Sequence, residues 1–155
     1  MPNVRALTEA LDDRGIPYEL LEHPRTDRAA DEAKALGLAP HEVAKTVVVT
    51  TGQGNVRVVL PASERIDMHK LRDLLDAGKE LHLLTEEDLG RGYAQFELGA
   101  VPPLGGPDDD VVVDRRIAAA RHVVFEAGTH SSSVKMGASD LVSLAGERVA
   151  DVCED

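Results

Sequence analysis

Three short stretches carry the side chains best suited to chemistry. In Ala44-Lys45-Thr46-Val47-Val48-Val49-Thr50, the period of two of a β-strand turns Lys45, Val47 and Val49 to one side, setting an ammonium at the mouth of an apolar face. A lysine so placed can grip a phosphate or carbonyl oxygen as a compact cation. A strand-end lysine can equally run its stem along the face and leave its charge in water. The second stretch, Gly99-Ala100-Val101-Pro102-Pro103-Leu104-Gly105-Gly106, mixes glycines that permit close backbone approach with prolines that stiffen the chain. It suits a wall that excludes bulky ligands, or a plain connection. No Gly-Lys-Ser/Thr follows it, and prolines lack the N–H donors of a phosphate cradle. In the third, Gly128-Thr129-His130-Ser131-Ser132-Ser133, His130 could donate to or accept from a substrate, and Gly128 would let backbone amides approach an ester. The alternative there is a polar turn with an exposed histidine.

Other chemistries are disfavoured. The serine run lacks a Gly-x-Ser-x-Gly elbow. Six histidines (His23, His41, His69, His82, His122, His130) are scattered without metal-ligand spacing, so neither a metal nor a cofactor is expected. Asp108-Asp109-Asp110 reads as a solvated turn. Cys153 lies near the C-terminus, where chains fray, and is not expected to be a catalytic thiol.

The wider composition bounds the partners. The chain has 155 residues, 43% hydrophobic and 29% charged, which suits one globular domain over residues 1–155. No apolar run approaches the roughly 18 residues of a membrane span. The first residues lack the apolar core of a signal peptide, and the lone cysteine favours the reducing cytoplasm. With 17 basic against 28 acidic residues the net charge is −11, which disfavours broad binding along a nucleic-acid backbone but leaves room for a small local RNA site. Only Tyr18, Tyr93, Phe96 and Phe125 are aromatic, too few to stack several successive bases.

Elements must hold the three stretches in place. Val4, Leu7 and Leu11 predict an amphipathic helix capped by Asn3 and stopped by Gly15. Tyr18 to Glu22 predicts a strand, and Thr26 is expected to cap a helix ending at Gly37. Residues 45–50 and 56–60 flank Thr51-Gly52-Gln53-Gly54-Asn55 as a hairpin. Asp67 caps a helix through Leu75, and Thr85 with Asp88 resembles a capping box. Gly92 to Asp110 is the longest irregular stretch, of a length that is often functional. Short strands at 111–113, 122–126 and 133–136, a helix from Ala138 or Ser139, and a strand within 148–152 complete the chain. The order lacks a regular βαβ rhythm, so the class is α+β.

Taken in order, Tyr18-Glu19-Leu20-Leu21-Glu22-His23-Pro24, Val43-Ala44-Lys45-Thr46-Val47, Val59-Leu60-Pro61, Asp67-Met68-His69-Lys70-Leu71, Gly99 to Gly105, Gly128 to Met136 and Ala138-Ser139-Asp140-Leu141 resemble the YbaK/ProX family of aminoacyl-tRNA deacylases. That family is related to the editing domain of prolyl-tRNA synthetases. The resemblance implies an α+β fold on a curved, mixed, barrel-like sheet flanked by helices, and hydrolysis of the ester joining a wrong amino acid to tRNA. It implies Lys45, Gly128 and His130 as catalytic residues, and Thr46, Val47, Gly99, Val101, Pro103 and Ser131 around the substrate. Gly99 and Pro103 fit the family's Gly-x-x-x-Pro loop, although the loop reads Gly-Ala-Val-Pro-Pro where many members carry two glycines and a serine or threonine. The Gly-x-His motif resembles the alanine-directed branch, making alanyl-tRNA(Pro) the expected substrate, with serine, threonine and cysteine adducts behind it. Val47, Val49, Leu60 and Val101 are candidate walls of a size-excluding pocket. The expected partner is the acceptor end of mischarged tRNA, delivered alone or by a prolyl-tRNA synthetase or an elongation factor.

Two other readings compete: a non-catalytic module that grips the CCA end or a small amino acid, and an esterase acting on simple amino-acid esters. The acidic balance also yields a test. With only a few phosphates contacted, tRNA affinity should fall shallowly with salt, with a log–log slope on the order of −2. A much steeper slope in a filter-binding series would reveal a basic patch, for instance around Arg65, Lys70 and Arg72.

Overall fold

The computed structural model describes all 155 residues. In chain order the elements are α1 (Arg5–Asp13), β1 (Tyr18–Glu22), α2 (Ala29–Ala35), β2 (Ala44–Thr50), β3 (Asn55–Pro61), α3 (Met68–Leu75), β4 (His82–Leu83), α4 (Glu86–Gly92), β5 (Asp110–Asp114), α5 (Arg115–Ala118), β6 (His122–Thr129), β7 (Ser132–Gly137), α6 (Ala138–Leu144) and β8 (Val149–Ala150). The α+β class stands, but the strands form two open sheets rather than one barrel-like sheet. A three-stranded antiparallel sheet has the order β1-β7-β6, and a five-stranded mixed sheet has the order β4-β2-β3-β5-β8. The two-residue strands β4 and β8 end the larger sheet before it can close. A single parallel bridge, Val43 with Val124, joins the two sheets.

Alternation along the strands explains the layers. On β3, Val56, Val58 and Leu60 turn outward with Val112 of β5 and pack beneath Leu71 of α3. Val59, Val111 and Val113 turn inward against Val123, Phe125, Val134 and Met136 of the other sheet, with Leu7 and Leu11 of α1 closing the layer. Both β3 and β5 are therefore covered on two faces, which is why they read as near-continuous apolar runs.

Several local signals operate as expected. Asp67 accepts from the His69 and Lys70 amides, and Thr85 accepts from Asp88 N. Thr26 does not cap α2. Arg28 occupies that position with no side-chain capping bond, and the Thr26 amide instead donates to His130 O at 2.9 Å, tying this segment to the His130 turn. The C-terminal segment is pinned rather than frayed. The Lys70 ammonium reaches Asp151 at 3.0 Å, Cys153 O at 2.7 Å and Asp155 at 2.9 Å, which also removes Lys70 from any free basic patch. Cys153 is buried, its thiol donating to Asp114, and its pKa is pushed up to about 12, chiefly by burial. That protonated thiol is no nucleophile.

One charged residue interrupts the inner face of β3. Arg57 is 1% exposed. Its Nε donates to Asp109 at 2.9 Å, Nη1 to Pro102 O at 2.8 Å, and Nη2 to Gly105 O at 2.6 Å and Pro107 O at 3.0 Å. The guanidinium also lies 5.4 Å from the centre of the Tyr93 ring, whose hydroxyl donates to the same Asp109. Five donors in a planar fork suit a loop that offers carbonyls from several directions. Arg57 thereby fixes the 99–109 loop, whose prolines cannot supply amides of their own. Replacing Arg57 with Met would strand Asp109 and three carbonyls, and is expected to cost about 3–5 kcal/mol. Urea unfolding with an unchanged midpoint would contradict this role.

Candidate functional site

Beyond the Val43–Val124 bridge, β2 and β6 run in the same direction and their following residues, 44–47 and 125–126, line opposite sides of a cavity of about 420 Å³. The N-terminal end of α2 contributes Arg28, Ala29 and Ala30, Ala62 follows β3, and Gly99 and Val101 bring in the proline-stiffened loop. A smaller, mostly apolar cavity of about 210 Å³ adjoins it through Thr46, Val47, Gly99 and Val101, and is completed by Val48, Leu83, Leu84 and Leu89.

Lys45, Thr46, Val47, Gly99 and Val101 are thus brought together. Lys45 is half-buried and forms no hydrogen bond or ion pair with the protein, and burial holds its pKa below the ordinary lysine range. An ammonium stripped of water and given no partner is a strong anion or carbonyl ligand. The Thr46 hydroxyl is also buried without a partner. Gly99 adopts φ +83°, and a Cβ there would come within 3.3 Å of the His130 ring, so the loop needs glycine to lie on that ring.

The other expected site residues sit elsewhere. Val49 and Leu60 belong to the outer core beneath α3 and do not line the cavity. Pro103 faces a different surface hollow with Arg57 and Asp109. Ser131 accepts the His23 amide through its carbonyl. Gly128 does not border the cavity. At φ +106° a Cβ there would lie 2.7 Å from Asn3 O and 2.9 Å from the Phe96 ring, so this glycine admits the N-terminal segment and the loop to close packing. It sits in a bulge, since Glu126 pairs with Ser133 and Thr129 with Ser132, leaving Ala127 and Gly128 without partners in β7.

His130 is 4% exposed rather than an exposed turn residue. Its Nε2 faces Leu98 O at 2.6 Å, and a carbonyl only accepts, so Nε2 carries a hydrogen. Its Nδ1 lies 2.8 Å from Glu126 Oε2. One proton therefore lies between these two atoms. Burial lifts the Glu126 pKa to about 8, which keeps that proton on the carboxyl near neutral pH. Glu126 is 7% exposed and lines the cavity. Sequence reasoning passed over it, although a glutamate inside Val123-Val124-Phe125-Glu126-Ala127, four residues before His130, was a usable signal.

A second buried acid lies behind the first. Glu32 of α2 is fully buried with Oε2 in hydrogen-bond contact with the Ser133 hydroxyl oxygen, while Oε1 has no partner. Ser133 also meets His23 Nε2 at 2.9 Å, and His23 Nδ1 faces Pro24 O. A protonated Glu32 donating to Ser133, which donates onward to His23, satisfies the chain. Burial raises the Glu32 pKa to about 8, with the nearby Glu126 adding to the rise.

Two sheets around a chamber lined by a lysine free of ion pairs and a buried glutamate make an α+β domain with one candidate site between them. The aminoacyl-tRNA editing domain profile matches residues 23–144, and the chain belongs to that family. Among solved structures, a hypothetical protein is similar over 96% of this chain and 99% of its own, with 26% identity and a TM-score of 0.89. A proposed trans-editing enzyme for prolyl tRNA synthetase is similar over 100% and 99% of the two chains, with 25% identity and a TM-score of 0.89. The fold also recurs in 31% of a larger chain, a proposed signal transduction protein from Marinobacter aquaeolei VT8, with 21% identity and a TM-score of 0.73. No protein of curated function matches the sequence.

The buried acids make stability depend on pH. Glu32 and Glu126 bind protons in the folded chain up to about pH 8, but only up to their ordinary value of 4.5 when unfolded. Between those limits the folded state holds more protons, so stability is highest at the acid end and falls as pH rises through about 8. Glu32→Gln is expected to flatten part of that fall in urea unfolding at pH 5, 7 and 9. Equal slopes for the variant and the parent would exclude the assignment.

Proposed function

We propose that the protein is an aminoacyl-tRNA deacylase, hydrolysing the ester between a wrongly attached small amino acid and the terminal ribose, with alanyl-tRNA(Pro) as the leading substrate. The observation that carries this reading is the unpaired, half-buried Lys45 beside a cavity of about 420 Å³ roofed by Gly99 and Val101. The similarity to a proposed trans-editing enzyme for prolyl tRNA synthetase supports the choice of tRNA.

An aminoacyl ester is already activated, so positioning and charge stabilisation suffice and no strong nucleophile is required. Lys45 holds the terminal phosphate or the ester carbonyl, and the free Thr46 hydroxyl supplies a neutral hydrogen bond beside it. Water adds to the carbonyl carbon, either directly or after the neighbouring ribose hydroxyl has taken up the acyl group as a new ester. Collapse of the adduct breaks the ester bond and returns the proton to the departing ribose oxygen, releasing the amino acid. His130 acts at one remove, through Glu126 and through the Leu98–Gly99 backbone.

Specificity follows from size. A synthetase that activates proline rejects the smaller alanine poorly, because each missing methylene is worth only about 1–3 kcal/mol. A second chamber walled by Val47 and Val101 can admit alanine and exclude the bulkier ring. The acidic surface favours gripping only the acceptor end, with a synthetase or elongation factor supplying further tRNA selectivity.

Lys45→Ala is expected to lower deacylation of alanyl-tRNA(Pro) at least 100-fold while changing the free energy of urea unfolding by no more than about 0.5 kcal/mol, since the Lys45 side chain forms no hydrogen bond or ion pair in the protein. Retained turnover would refute the hydrolytic role. Intact CCA-end binding with no turnover in the parent protein would favour a binding module.

A further inference from the structure

The cavity holds two ionisable groups that the fold leaves without an Asp, Glu, Lys or Arg ion-pair partner. Lys45 forms no ion pair, although Glu64 lies near enough to act on its charge, and Glu126 meets only the His130 imidazole. Only Glu126 Oε2 is bonded, to His130, and Oε1 has no protein partner. The nearby cation Arg25 is already committed to Glu97 at 2.7 Å, and Arg28 is largely exposed and leans toward Asp31. Lys45 and Glu126 do not pair with each other, so each remains available within one chamber.

We propose that Glu126 recognises the free α-ammonium of the aminoacyl group, so that the protein acts on esters of unblocked α-amino acids and passes over α-hydroxy and N-blocked acyl groups. This rests on the deacylase reading above. A ligand bearing phosphate and carbonyl oxygens at one end and an ammonium at the other is the charge complement of a chamber with a lysine on β2 and a glutamate on β6. Only Oε2 of Glu126 is taken up by His130, so Oε1 is left to accept a hydrogen bond from a substrate ammonium, which a buried carboxylate binds more strongly than a neutral donor.

The carboxyl can ionise for this purpose without releasing a proton to water. The hydrogen between Oε2 and Nδ1 crosses to the imidazole, whose Nε2–H stays on Leu98 O, so the Glu126–His130 pair keeps its net charge while turning a carboxylate toward the ligand. This gives the buried histidine a purpose that needs no contact with the ester. An acyl group with a hydroxyl or an amide in place of the ammonium offers no charge to offset that rearrangement.

The test compares alanyl-tRNA(Pro) with lactyl-tRNA(Pro), its nearly isosteric and uncharged counterpart, in the parent protein and in Glu126→Gln. The ratio of kcat/KM for alanyl over lactyl ester is expected to fall by about 10–100-fold in the variant, as befits a lost charge-assisted hydrogen bond. Because the two esters differ in intrinsic reactivity, only the change in ratio is read. An equal loss on both esters would overturn the proposal while leaving the deacylase intact. No turnover of either ester by the parent protein would overturn both. Should Glu126→Gln fail to fold, inhibition of the parent protein decides: 3′-alanylamino-3′-deoxyadenosine should inhibit at a concentration at least 10-fold below its lactylamino counterpart, and equal inhibition would overturn the proposal.

Discussion

The buried guanidinium of Arg57 is the interaction on which the site's geometry depends. The 99–109 loop contains three prolines and several glycines, and it joins α4 to β5 without regular hydrogen bonding of its own. Left to itself such a segment would sample many conformations. Arg57 replaces the missing ladder by reaching three of its carbonyls and Asp109 from the inner face of β3. The reverse side of the same loop carries Gly99 and Val101 over the cavity. The proposed discrimination by size depends on stiffness behind this roof, because a wall that yields cannot discriminate by size.

The cavity itself arises from a topological constraint. Two sheets that meet at one bridge must part beyond it, and β2 and β6 present different chemistry to the gap. Lys45 and Thr46 come from one side, Glu126 from the other. The bulge at Ala127 and Gly128 returns His130 to Glu126, while α2 supplies the neighbouring Glu32. The site is therefore an acid-backed chamber with a cation at its edge, and its polar groups are held by the same strands that build the core.

Local order was legible where it had local causes. The β2–β3 hairpin, the Asp67 cap and the Thr85 cap each announce themselves within a few residues, whereas alternation along β2 does not explain a cavity lined by Lys45, Thr46 and Val47 together while Val49 joins the outer core. Long-range pairing was not legible. Arg57 sits in an apolar strand run, and its meaning depends on a loop some fifty positions away. Glu126 and Glu32 look like ordinary surface acids until burial is known. Thr26 lies two residues short of the α2 N-cap, its hydroxyl and amide both directed to His130 O, and Gly128 answers the packing of Asn3 and Phe96. Val49 and Leu60 were placed around the pocket, when both in fact face α3. The common cause is that facing residues are chosen by how the two sheets diverge, which no short window of sequence encodes.

The chain belongs to the aminoacyl-tRNA editing domain family, and the proposal that it removes small amino acids from tRNA rests on the unpaired ammonium and the chamber between the sheets. The most direct measurement incubates the purified protein with tRNA(Pro) charged with alanine or with proline and follows release of the labelled amino acid. The account predicts rapid loss of alanine while the prolyl ester decays no faster than in buffer. Equal release of both, or release of neither, would contradict it.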